Sequence, residues 1–62
     1  NSSVQKVLAK AKVGSSFVNG VASVVAKNFG AKKRKQAVYL ALLSKYGRED
    51  GLRMYHLIKD LL

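Results

Sequence analysis

The chain has 62 residues, no cysteine and a single histidine, so neither a disulfide nor a structural zinc site can staple it. A chain this short encloses neither a pore of its own nor a deep catalytic pocket, while its 48% apolar content is too high for simple disorder. The formal net charge of +9 narrows its partners to polyanions, meaning a nucleic acid or an anionic membrane surface.

Every strong periodicity is helical. Ser2 or Ser3 offers an N-cap for a first helix whose Val4, Val7, Leu8 and Ala11 follow the i, i+3, i+4, i+7 stripe. Lys6 and Lys10 lie four apart on another face of that helix. Two break points compete after it: Gly14-Ser15-Ser16 weakens a helix and supplies a fresh cap, and Asn19-Gly20 is a turn signal further on. A second, nearly all-apolar helix runs from Phe17 to Asn28, and Gly30 reads as the left-handed residue that closes it. The apolar stretch Phe17 to Phe29 is about 20 Å long as a helix, too short for a hydrocarbon core of about 30 Å.

A third helix is expected from Ala31 to Tyr46. Ala37, Leu40, Ala41 and Ser44 form one side of it, and Tyr39, Leu42, Leu43 and Tyr46 another. So wide an apolar arc predicts a central, mostly buried helix. Gly47 closes it, and Arg48 to Gly51 read as a short connection with Asp50 as the next N-cap. The last helix carries Met54, Leu57, Ile58 and Leu61 as its core stripe, widened by Leu52, Tyr55 and Leu62. The expectation is an all-α fold, a compact bundle of three to four short helices in a single domain over residues 1–62.

The cations are unevenly spread. Residues 1–48 carry every basic side chain except Arg53 and Lys59, and no acid; Glu49, Asp50 and Asp60 all fall in the last stretch. Four consecutive cations, Lys32, Lys33, Arg34 and Lys35, follow Gly30 at the start of the third helix. That is the wrong sign for the positive end of a helix dipole, and an external anion would offset the local cost. Ammonium groups beside free backbone N–H groups suit a phosphate. Lys27 on the preceding helix adds to this anion-binding set, with Lys6, Lys10 and Lys12 as further members.

Catalysis finds no support. His56 lies beside core positions and is i, i+4 to Asp60, while none of the serines Ser15, Ser16, Ser23 and Ser44 sits in a nucleophile motif. Three acids are too few for a metal cage, so no metal, no cofactor and no small-molecule substrate is expected. A sequence-reading DNA protein is disfavoured because lysine outnumbers arginine three to one, whereas base edges are best read by arginine forks. The would-be recognition helix over residues 48–62 is also the least cationic part.

A lysine-rich, acid-poor helical chain is drawn to anionic lipid, and Phe17, Val18, Val21, Val24, Val25 and Phe29 would form its membrane-inserting face once the bundle opens. In size, charge and number of helices over its whole length the chain resembles the cationic helical bacteriocins, although it has none of the tryptophan anchors common at membrane interfaces. The resemblance implies a secreted antimicrobial protein that permeabilises anionic membranes. The alternative is a backbone-reading nucleic-acid binder, located in a virion or associated with nucleic acid in the cytoplasm.

Overall fold

A computed structural model describes residues 2–62, and within them the chain is all-helical. Three helices follow one another: α1 (Ser2–Lys10), α2 (Ser15–Asn28) and α3 (Arg34–Ile58), the last running into a short 3-10 turn at Lys59–Leu61. None is long and apolar enough to cross a membrane. The predicted caps Ser2 and Ser3 lie inside α1.

The first break is made by an unexpected residue. Lys12 takes φ 61°, the left-handed conformation, while the Val13 N–H donates to the Leu8 carbonyl (3.3 Å) and the Lys12 N–H to the Ala9 carbonyl (3.0 Å). This pair of bonds is the Schellman closure, with half-buried Val13 packed on the core that contains Leu8. Ala11 therefore falls beyond the helix and is exposed, contrary to its place in the predicted stripe. Gly14 becomes the N-cap of α2, so the break lies near Gly14-Ser15-Ser16 and the helix runs straight through Asn19-Gly20.

Gly20 has a different task. A Cβ added there would overlap the Tyr46 hydroxyl, so the missing side chain lets α3 lay its tyrosine against the α2 backbone. Gly30, in contrast, is not left-handed: α2 ends at Asn28 with Phe29 still in right-handed geometry, and the turn is closed by the Ala31 N–H bonding the Asn28 carbonyl (3.1 Å).

Helix α3 begins at Arg34, three residues later than Ala31, because the chain needs residues 29–33 to turn back. Gly47 breaks it as expected, at φ 85° and ψ 173°. The predicted loop over Arg48 to Gly51 does not form, since helical structure resumes at once and leaves Asp50 no capping role. Asp50 instead accepts from Arg53 at 3.3 Å on an exposed face. Gly51 is buried where the two limbs of α3 touch: a Cβ there would stand 2.6 Å from the Leu42 carbonyl oxygen.

The core joins Val4 and Leu8 of α1, Val21, Val24 and Val25 of α2, and Val38, Leu42, Met54 and Ile58 of α3. The central helix is thus α2. The first limb of α3 buries only the Val38–Leu42 line, a direction between the two predicted sides. Leu40 points away from it and is 55% exposed, correcting its assignment to a packed side. In the second limb Met54 and Ile58 are buried, while Leu52, Tyr55, Leu57, Leu61 and Leu62 are half-buried around them.

Candidate anion-binding site

The turn from α2 to α3 gathers the basic cluster, though not uniformly. Asn28 closes α2 by donating its side-chain amide to the Val24 carbonyl (2.8 Å). Arg34 then folds back: its Nε donates to the Phe29 carbonyl, and its guanidinium lies 3.7 Å from the centre of the Phe29 ring. Arg34 is accordingly half-buried and straps the end of α2 to the start of α3, whereas Lys32, Lys33 and Lys35 remain exposed.

A shallow depression of about 480 Å³ opens at this point, lined by Ala31, the four cations, Gln36 and Leu62. Lys33 is the N-cap of α3 and makes no side-chain capping bond, and the first turn contains no acid. The first intrahelical bond runs from the Ala37 N–H to the Lys33 carbonyl (2.9 Å). The N–H groups of Arg34, Lys35 and Gln36 precede it, where a helix leaves its donors without internal acceptors. Ammonium groups, first-turn N–H donors and the positive end of the dipole therefore coincide, which suits one phosphate-sized anion.

Compared with known proteins, the chain matches no family model, no curated protein and no solved structure.

Of the other candidate cations, Lys27 is exposed in the last turn of α2, where its charge favours the helix dipole, and it does not line the depression. Lys6 and Lys10 are exposed on α1, and Lys12 follows that helix. These four form a dispersed cationic surface rather than part of the depression. Among the described residues the single ion pair is Arg53–Asp50, so no acid lies within pairing distance of the remaining cations.

The six residues of the candidate inserting face divide three ways. Val21, Val24 and Val25 are buried in the core, Phe17 and Val18 are half-buried, and Phe29 is 38% exposed under the Arg34 guanidinium. The face is thus folded inward in this structure.

Sequence reasoning missed two features. Gln36 and Leu62 line the depression; Gln36 could have been found as the next first-turn residue, but Leu62 arrives only through the fold. The second is Tyr46. Its ring packs on Phe17 with centroids 5.0 Å apart, and its hydroxyl is buried with no hydrogen-bond partner among the described residues. Burial holds the phenol pKa above the ordinary 10.0.

Proposed function

We propose that the protein is a secreted, bacteriocin-like antimicrobial protein that binds and permeabilises anionic membranes without catalysis. The observation that carries this reading is that the most apolar helix, α2, forms the centre of a small core while, among the described residues, every cation but Arg53 lacks an acidic partner. Lysines near an anionic surface contribute about 1 kcal/mol each to attraction. Once the bundle loosens there, Val21, Val24 and Val25 exchange burial in the protein for burial at the acyl boundary, so much of the apolar cost of opening is offset. The depression at Lys32, Lys33 and Lys35 takes a lipid phosphate in this scheme.

A nucleic-acid backbone offers the same phosphate chemistry, and the experiment separates the two. Vesicles rich in phosphatidylglycerol should bind the protein and release a trapped dye, while phosphatidylcholine vesicles should release little. Equal release from both would remove the electrostatic step, and no release from either would overturn the reading. In parallel, duplex DNA binding is titrated against salt. A log–log slope near −4 to −5, as expected for about 4–6 neutralised phosphates, without vesicle leakage would favour the genome-binding alternative.

A further inference from the structure

We infer that Tyr46 is a release latch, held against Phe17 and Gly20, that lets α2 part from α3 while the two limbs of α3 stay together. As a membrane mechanism this deepens the reading above by naming the joint that opens.

Three observations converge on that joint. The Tyr46 hydroxyl is buried against Gly20 with no partner, so the closed state carries a desolvated polar group that water would satisfy on opening. Around it the Phe17 and Tyr46 rings tilt at 44°, and the Lys45 side chain lies beside Gly20 with its ammonium 5.7 Å from the Tyr46 ring centre. Among the described residues, no ion pair or side-chain hydrogen bond joins α2 to α3 away from the connecting turn, where Arg34 binds Phe29. That strap lies at the hinge and can stay intact while the far end of α2 swings out.

The limbs of α3 are joined by contacts that exclude α2. Tyr39 and Tyr55 stack edge to face with centroids 5.1 Å apart, and Gly51 lies against the Leu42 carbonyl. Tyr46 immediately precedes Gly47, the pivot between those limbs, so it marks the border between the part that opens and the part that stays. Opening at this border uncovers the sides of Phe17, Val21, Val24 and Val25 that face α3, while Val4 and Leu8 stay packed on α2 as α1 moves with it.

Native-state hydrogen exchange on the full chain tests the device without any membrane. Amides of Val21, Val24 and Val25 should open more often than those of Val38 and Leu42. Tyr46→Phe removes only the unpartnered oxygen and should slow α2 exchange about tenfold. Gly20→Ala should accelerate it, and Tyr39→Ala, which loosens only the α3 limbs, should leave the α2 opening unchanged while α3 exchanges faster. On phosphatidylglycerol vesicles, dye release per bound protein should fall about fivefold in Tyr46→Phe with binding unchanged, since no charge is altered. One common exchange rate for α2 and α3 in every variant, or α2 exchange indifferent to Tyr46→Phe, overturns the latch. Exchange shifts as described but no leakage from the wild-type chain would leave the latch supported and the membrane reading refuted.

Discussion

A lysine at φ 61° is out of place by the usual steric rule, since the left-handed region costs an L-residue roughly 1–2 kcal/mol and glycine takes it freely. Lys12 bears that cost where α1 must stop for the chain to turn into α2. Its charge gives something back, because a cation just past a helix C-terminus complements the dipole by a few tenths of a kcal/mol. The balance still favours glycine. Lys12→Gly should raise stability by about 0.5 kcal/mol after the added freedom of the unfolded chain is subtracted, read as a shift in the urea midpoint at unchanged slope. Unchanged stability would mean that the lysine side chain makes up the difference through packing. The same substitution removes one of the dispersed cations, so vesicle affinity should fall slightly as stability rises. Nothing in the sequence announces this residue, because left-handed lysine has no compositional signature and Gly14, two positions on, looks the better stop.

At the scale of the element, α3 is built against its own electrostatics at the N-terminus and with its own geometry elsewhere. Lys33 caps the helix without a side-chain acceptor, and Arg34 and Lys35 repeat the wrong sign in the first turn. Replacing Lys33 by aspartate supplies both an acceptor for the free N–H groups and a charge that suits the dipole, worth about 1 kcal/mol. Lys33→Asp should therefore melt higher than the wild type while binding phosphatidylglycerol vesicles more weakly. A lower melting point would assign Lys33 a structural partner, and unchanged affinity would move the anion site to the cations of α1. Helix type, the Gly47 break and the basic cluster were legible because each is local: a 3.6-residue stripe, a glycine after an apolar run, and four adjacent cations. What was not legible depends on who approaches whom. The role of Gly20 is set by Tyr46, twenty-six positions away, and the exposure of Leu40 follows from Val38 and Leu42 taking the inward line. The turn over residues 29–33 delays α3 for the same reason, since the chain must reverse before Arg34 can reach back to Phe29.

The whole molecule carries +9 on a body about 30 × 24 × 17 Å; at 0.1 M salt, where the screening length is about 10 Å, cations on opposite faces are largely screened and the repulsion that remains is between neighbours such as Lys32, Lys33 and Lys35. One exposed ion pair relieves little of this, and surface pairs of that kind contribute at most about 1 kcal/mol. Net repulsion destabilises the compact state, and the same charge is what draws the chain to anions. Stability and function therefore respond oppositely to salt. Rising sodium chloride should raise the melting temperature and weaken binding to vesicles or DNA. Sodium sulfate adds a second effect if the depression at the start of α3 holds a tetrahedral dianion: at equal ionic strength it should stabilise the protein more than chloride does. Sulfate also strengthens apolar burial in any protein, so the comparison needs a variant in which the site is lost while the core is kept. Lys32→Glu combined with Lys33→Glu is that variant, since it lowers the net charge to +5 by simple counting and leaves the core untouched. In it the chloride dependence should flatten, because less repulsion remains to be screened, and the excess effect of sulfate should shrink to the general increment. An excess that survives the double substitution would show that sulfate acts on the whole surface and that the depression binds no anion of its own.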